Sequence, residues 1–223
     1  MLDILARYDI LGAFWMTIQL ALWSALGSLI LGTVLAVMRV SPVKVLQSLG
    51  ALYVNVARNT PLTLILVFCV LGALYILELS PVPQSFPQAV KVYWWAIIGL
   101  SAYHASFVCE ALRSGVNTVP VGQAEAARAI GLTFNQSLTE VILPQAFRGA
   151  IAPLGSVLIA LIKNTTVAAI IGVPEASASM RTIIENETGS PVVFFIFALG
   201  FVILTLPVGV GFTSLSRRLA VKR

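Results

Sequence analysis

Residues 125–144, EAARAIGLTFNQSLTEVILP, form a polar island in a chain that is otherwise almost entirely apolar. The pattern predicts two short helices joined by a tight turn. Pro120 is expected in the first turn of the first helix, with Asn117 or Thr118 as its cap. Gly131 then supplies a left-handed stop, because glycine adopts positive φ without steric cost.

The second half of the island carries its own start signal. Thr133 and Gln136 have the spacing of a capping box, which predicts a second helix from about Phe134. Pro144 is expected to end or kink that helix just before the next apolar run. Physical arguments alone leave open that the island is an ordinary loop between membrane helices.

The composition excludes a soluble domain. Of 223 residues, 58% are hydrophobic and only 10% are charged, whereas soluble domains carry about 25% charged residues. The net charge of +5 is spread singly around apolar runs, so a positive-inside bias explains it better than nucleic-acid binding. Cys69 and Cys109 lie in apolar runs and are interpreted as buried small residues. The lone His104 has no ligand cluster around it, so no metal site is predicted.

Uncharged runs predict an all-α polytopic membrane protein, since a helix needs about 20 apolar residues to cross the bilayer. We expect one transmembrane domain over residues 1–223, with the first span retained because no signal-peptide pattern precedes it. The expected spans are 14–38, 59–77, 92–112, 146–172 and 192–214, with a polar loop at 118–144.

Three shorter stretches complete the plan of the chain. Residues 46–57 form either an interfacial helix or a downward extension of span two. Asn59 or Thr60 is expected to cap that span, with Pro61 in its first turn. Span four is interrupted by the polar patch at 163–166, and the polar loop at 173–190 holds a short amphipathic helix.

The distribution of Lys and Arg predicts the orientation. Nine of these residues fall on the side of the polar island and three on the other side. The positive-inside rule therefore places the island and the C-terminus in the cytoplasm and the N-terminus outside. The expected location is the bacterial cell membrane.

The island resembles the EAA loop of permease subunits in ATP-binding-cassette (ABC) importers. The family pattern is EAA, three residues, G, nine residues and I-x-L-P, and the chain departs from it only at Val141. The resemblance implies a type I importer fold in which the loop docks into the ATPase subunit as a coupling helix. The positions that it assigns to this contact are Gln123, Glu125, Ala126, Ala127, Gly131, Leu132, Leu143 and Pro144.

A narrower resemblance covers spans two to four. The segments R-N-T-P-L at 58–62, E-A-L-R-S-G at 110–115 and K-N-T-T at 163–166 are similar to signatures of polar amino-acid permeases, which import histidine, glutamine, glutamate and arginine. The chain looks most like one permease subunit of the actinobacterial glutamate importer, and this resemblance is carried by Val43-Lys44, residues 58–64 and 163–166, and the basic ending at 217–223. The expected cargo is therefore glutamate or glutamine.

The resemblance also implies partners. The sequence has no G-x-x-x-x-G-K-[ST] phosphate-binding loop, so ATP and Mg²⁺ are expected on partner ATPase subunits, with no enzyme activity and no cofactor on this chain. Five spans are few for enclosing a pathway, which implies a second permease, identical or similar. An extracytoplasmic binding protein, the lipid bilayer and the amino-acid substrate complete the set, and no nucleic acid is expected.

Lys163 is the main candidate within the membrane. It lies 15 residues beyond Arg148, or roughly 22 Å at 1.5 Å per residue. A charge at that depth costs about 2.5–3.5 kcal/mol on insertion scales, so the ammonium should face protein or a polar pathway. The alternatives are a buried structural lysine that satisfies carbonyls or pairs with Glu110.

The other candidates for the substrate pathway are polar residues close to the same spans. Each also has a structural alternative: an interfacial anchor for Arg58, a packing residue for His104, and an i,i+3 ion pair with Arg113 for Glu110. The complete set is Arg58, Asn59, Thr60, His104, Glu110, Lys163, Asn164 and Thr165.

Two rival functions stay open at this point. One is a stand-alone amino-acid carrier driven by an ion gradient, although no internal repeat of the kind found in many carriers is visible. The other is the same ABC machine with a basic or another neutral amino acid as its cargo.

Overall fold

All regular secondary structure is helical in the part of the chain that the computed structural model describes, which is residues 7–133, 136–187 and 191–219. The all-α prediction is therefore confirmed. The helices in chain order are α1 Ile10–Val40, α2 Lys44–Asn59, α3 Leu62–Ile76, α4 Gln88–Asn117, α5 Val121–Ala129, α6 Ser137–Ile171, α7 Ala176–Asn186 and α8 Pro191–Leu219.

Four of these helices are long and apolar enough to cross a membrane. They are α1, α4, α6 and α8, with 31, 30, 35 and 29 residues. A fifth crossing is available if α2 and α3, which meet at an angle of 102°, act together as one bent span. The predicted spans 14–38, 92–112 and 192–214 lie within α1, α4 and α8.

The junction between α2 and α3 corrects the predicted start of span two. Asn59 is the last residue of α2, and its Nδ2 donates to the carbonyl of Asn55 at 2.7 Å. Thr60 Oγ1 likewise donates to the carbonyl of Val56 at 2.8 Å. Both side chains therefore bond backwards to the preceding helix and do not cap α3. The chain breaks here because Thr60 precedes Pro61, which disfavours the helical conformation, and Thr60 has ψ 129°.

Helix α2 has one buried face and exposed apolar residues elsewhere on its surface. Gly50, Val54 and Ala57 form its buried face at positions i, i+4 and i+7, while Leu52 and Val56 stay exposed. The angle of 102° to α3 rules out a straight extension of span two and leaves two arrangements, one bent span or a helix that lies along the membrane interface.

Helix α4 is the centre of the packing, because it contacts α1, α2, α3 and α6. Glycines allow two of these contacts to be close. A Cβ at Gly32 of α1 would lie 2.6 Å from the Val108 side chain, and one at Gly115 of α4 would collide with the Ala146 carbonyl oxygen of α6. Small residues let membrane helices approach until their backbones touch, so α4 is held tightly on both sides.

The predictions that Pro61 and Pro120 lie in the first turn of a helix were wrong, because each is the N-cap residue before its helix. Pro120 precedes α5 as its N-cap residue, whereas Asn117 and Thr118 belong to the end of α4, where Thr118 Oγ1 donates to the Gly115 carbonyl. Pro144 does not end the helix that precedes it, because α6 runs through it. Residues Ser137–Ile142 use π-type hydrogen bonds, and Pro144 is in the first turn of the α-helical segment Leu143–Asn164, where a missing N–H is tolerated.

The predicted interruption of span four is confirmed. The α-helical part of α6 ends at Asn164, and Thr165–Ile171 continues as a 3₁₀ helix. Gly172 then turns the chain with φ +90°. The short helix predicted within 173–190 is α7, while residues 188–190 lie outside the described part of the chain.

Candidate functional site

The first feature of the polar island is the turn that ends α5. The Gly131 N–H donates to the Arg128 carbonyl at 3.0 Å, and the Leu132 N–H donates to the Ala127 carbonyl at 3.1 Å. These two bonds form a Schellman motif, which requires a left-handed residue after the helix. Gly131 has φ +88°, so the predicted left-handed stop is confirmed.

The second feature is the capping box. The Thr133 N–H donates to Gln136 Oε1 at 2.9 Å, and the Gln136 N–H donates to Thr133 Oγ1 at 3.4 Å. The predicted reciprocal pair is therefore present. The predicted start of the second helix at Phe134 lies outside the described residues. The turn and the box together fix how α5 leads into α6.

Most of the residues assigned to ATPase contact are on the surface of this loop. Ala127 is only 4% exposed and Leu132 is half-buried, because α5 folds back against the start of α6. The remaining six are exposed: Gln123, Glu125, Ala126, Gly131, Leu143 and Pro144. These six positions are therefore accessible to a partner on this chain.

A cluster of charged residues joins α1, α2 and α4. The Glu110 carboxylate of α4 pairs with Arg39 of α1, with Arg58 of α2 at 3.9 Å and with Arg113 at 3.4 Å. The predicted pair with Arg113 is confirmed, and the predicted alternative pair with Lys163 is wrong because three guanidinium groups already surround Glu110. We call Glu110 and its three arginines the arginine cluster.

Arg39 was not predicted to belong to this cluster. Sequence analysis used Arg39 only in counting charges, and it lies 71 residues from Glu110. The sequence marks Arg39 only as the first basic residue after the uncharged run of span one. The crossing of α1 and α4 that brings Arg39 to Glu110 cannot be derived from that signal.

A second group of candidates meets where α4 and α6 cross. His104 is 1% exposed, its Nδ1 is 3.0 Å from the Leu100 carbonyl oxygen, and its Nε2 is 3.1 Å from Asn164 Nδ2. Thr165 is fully buried, and its hydroxyl donates to the Ile162 carbonyl. His104 and Asn164 therefore form one hydrogen-bonded unit across the two helices.

Phe107, which was not among the candidates, lies between this unit and the arginine cluster. Its ring centroid is 6.2 Å from that of His104, and the Arg58 guanidinium is 5.5 Å from it on the other side. Asn59 and Thr60 join neither group within the described part of the chain, since the side chains of both donate to carbonyls of α2.

Lys163 differs from the prediction of a buried lysine. Its side chain is exposed in this chain, and among the described residues its ammonium group has no hydrogen-bond or ion-pair partner. It therefore satisfies no carbonyl of span four. The half-buried Asn164 of the His104–Asn164 unit follows it directly in sequence.

Glu175 is a buried carboxylate that sequence analysis missed. It is fully buried at the start of α7, where it accepts hydrogen bonds from the Ser177 hydroxyl at 2.5 Å and from the N–H groups of Ser177 and Ala178 at 3.0 and 2.9 Å. Thr17 Oγ1 of α1 accepts from the Ala176 N–H at 3.0 Å, and its single proton is shared between the Ala13 carbonyl at 3.2 Å and Glu175 at 3.5 Å. Glutamate is not a favoured N-cap residue, so its spacing in the sequence did not indicate a cap at this position.

Burial raises the pKa of Glu175 above its ordinary value, although the hydrogen bonds from Ser177, Ala178 and Thr17 oppose the shift. The other end of α7 is held by Glu187, which pairs with Arg7 at 2.9 Å. Helix α7 is thus attached to the start of α1 at both of its ends.

Comparisons with known proteins point to one family. The model of the family described as "Binding-protein-dependent transport system inner membrane component" matches residues 28–221. Over 218 residues the chain is 52% identical to the glutamate transport system permease protein GluC of Corynebacterium efficiens and 51% identical to that of Corynebacterium glutamicum. Each alignment covers 96% of both proteins.

A solved structure supports the same assignment. The chain resembles a crystal structure of an amino acid ABC transporter with histidines, with a TM-score of 0.79 at 25% identity. The match covers 94% of this chain and 93% of the other. The similarity therefore extends over nearly the whole fold.

Glu175 predicts a pH dependence that a variant can isolate. A carboxyl group with a raised pKa adds stability below its unfolded pKa of about 4.3 and loses it as the pH rises through the folded value. We expect the melting temperature of the wild type, relative to that of Glu175→Gln, to rise when the pH falls from 8 to 5. Thermal unfolding of the purified protein in detergent measures this difference.

The matched control is Glu185→Gln, which removes an exposed carboxylate paired with Arg181 on the same helix. A gap between wild type and Glu175→Gln that stays constant over this pH range would contradict the assignment of the raised pKa.

Proposed function

The chain belongs to the binding-protein-dependent transport system inner membrane components, and from that premise we propose that it is a permease subunit of an ATP-driven glutamate importer. The assignment of glutamate as the substrate rests on the similarity of nearly the whole chain to permeases of glutamate transport systems. Members of this family are transport components of the inner membrane and not catalysts. The family name itself implies a binding protein as a partner.

The exposed loop between α5 and α6 is the proposed contact with the ATPase. Its turn is rigid because the Schellman motif at Gly131 and the capping box of Thr133 and Gln136 follow each other directly. A rigid exposed element transmits the movement of a partner to the helix that follows it. ATP-driven closure of two ATPase subunits, which would bind ATP and Mg²⁺, thus moves α5 and α6 and switches the pathway between its inward-facing and outward-facing states.

The same proposal includes an orientation. The loop and the C-terminus face the cytoplasm and the N-terminus faces outward, because nine Lys and Arg residues lie on the loop side and three on the other.

Single cysteines test this orientation. In a background with Cys69 and Cys109 replaced, Ser80→Cys should react with a membrane-impermeant thiol reagent added to intact cells, and Thr133→Cys should not. Thr133→Cys should react after the membrane is opened, which controls for access. The opposite pattern of labelling would overturn the orientation.

Gly131→Val tests the role of the turn. At φ +88° a β-branched residue should cost about 1–3 kcal/mol of local strain. The permease should still insert and assemble, but substrate-stimulated ATP hydrolysis by the reconstituted complex should fall severalfold. Gly211→Val is the matched control, because a Cβ at Gly211 in α8 meets no atom within 4 Å. Unchanged coupling in Gly131→Val would show that transport does not depend on this turn.

Lys163 is the proposed positive charge of the substrate pathway. It lies within the transmembrane helix α6 and has no partner in the described part of the chain, yet an ammonium group is costly in lipid. A water-accessible pathway between this permease and a second one, identical or similar, would remove that cost. An anionic amino acid crossing there would in turn gain a compensating charge.

Lys163→Gln tests this role in vesicles that contain the reconstituted complex with binding protein and ATP. Loss of the charge should reduce glutamate uptake at least tenfold, because leaving one buried charge without its partner costs about 3–5 kcal/mol. ATP hydrolysis and complex assembly should change much less. Lys163→Arg should retain part of the uptake, and Lys44→Gln, at the exposed start of α2, is the matched control.

Three outcomes of this experiment would reject parts of the proposal. Normal uptake by a well-assembled Lys163→Gln complex would remove Lys163 from the pathway. Glutamate uptake in ATP-free vesicles would favour a carrier driven by an ion gradient. Competition by basic or neutral amino acids, and not by glutamate, would assign the importer a different cargo.

A further inference from the structure

The His104–Asn164 unit has a defined donor and acceptor arrangement. The Leu100 carbonyl oxygen, 3.0 Å from His104 Nδ1, is able only to accept a hydrogen bond. In a neutral imidazole one nitrogen donates and the other accepts. His104 Nδ1 therefore carries the proton, and Nε2 is an acceptor.

This tautomer determines the orientation of the Asn164 side chain. An acceptor at Nε2 requires the amide NH₂ group of Asn164 to face it, and Asn164 Nδ2 lies 3.1 Å from His104 Nε2. The amide oxygen then points away from α4. Asn164 is half-buried, and within the described residues its Oδ1 accepts no hydrogen bond. A free acceptor is thus held in a fixed direction at the edge of the helix crossing.

The neighbouring charge suggests what this acceptor binds. Lys163 presents an exposed ammonium group, unpaired within the described residues, from the adjacent position of α6. A cation next to an amide acceptor is complementary to an amino acid, because the substrate carries both carboxylate groups and an α-ammonium group. Hydrogen bonds that involve a charged group are stronger than those between neutral groups.

We propose that His104 is a positioning residue that holds Asn164 Oδ1 toward the substrate pathway, where it accepts a hydrogen bond from the α-ammonium group of the amino acid. This inference rests on the proposed pathway at Lys163. It assigns recognition of the ammonium group to Asn164 and recognition of a carboxylate to Lys163. His104 acts only through Asn164.

Two replacements of His104 separate positioning from packing. The amide of glutamine reaches the place of Nε2, so His104→Gln keeps an acceptor for Asn164. The amide of asparagine reaches only the place of Nδ1, so His104→Asn keeps the bond to Leu100 and loses the bond to Asn164. Both replacements are polar, and both remove the ring.

The ligands are glutamate and glutarate, which has the same two carboxylate groups and no ammonium group. Equilibrium dialysis of each radiolabelled ligand against the purified permease–ATPase complex, without binding protein, measures affinity at the membrane site. We expect His104→Asn to weaken glutamate binding about tenfold and to leave glutarate binding unchanged. His104→Gln should stay within about threefold of the wild type for both ligands, because it keeps the bond to Asn164.

Asn164→Ala keeps the test valid if His104→Asn does not assemble, since it removes the acceptor and leaves His104 in place. It should reproduce the selective loss for glutamate. Equal weakening of both ligands, or no change in either, in the assembled variants would overturn the inference. Lys163→Gln tests the proposed pathway separately from the role of His104. Weaker binding of both ligands in that variant supports the pathway at Lys163 even if the role of His104 fails.

Discussion

The structure depends on the requirement that polar groups within a membrane find partners inside the protein, because lipid offers none. Glu110 meets this requirement with three arginines, His104 with Asn164 and a backbone carbonyl, and Thr165 with a carbonyl of its own helix. Each of the first two contacts joins different helices, so satisfying the polar groups also fixes the packing. Among the described charged residues of these helices, Lys163 has no such partner, and this makes it informative.

Helix α4 connects these contacts because it supplies both Glu110 and His104. Its close approach to α1 and α6 depends on small residues at the crossings, such as Gly32 and Gly115. Phe107 extends the connection, since it touches both the His104 ring and the Arg58 guanidinium. A shift of α6 would therefore displace α4, and through α4 it would displace α1 and α2, which are held at the arginine cluster.

Local features of this fold were predictable from the sequence, and long-range ones were not. The stop at Gly131 and the pair of Thr133 and Gln136 depend on residues within a few positions of each other, so spacing alone predicts them. The role of Thr60 was misread because a threonine before a proline is compatible both with ending one helix and with starting the next. Arg39 with Glu110 and Thr17 with Glu175 are separated by 71 and 158 residues, and only the packing of the helices brings them together.

The attachment of α7 to α1 has a consequence for the order in which the chain is made. Thr17 lies 3.2 Å from the Ala13 carbonyl of its own helix, so α1 satisfies this hydroxyl before any later helix exists. Glu175 and the N–H of Ala176 find Thr17 already in place when they emerge from the ribosome more than 150 residues later. Because synthesis proceeds from the N-terminus, α1 acts as a preformed template for α7, and the last-made third of the protein never has to bury its carboxylate alone.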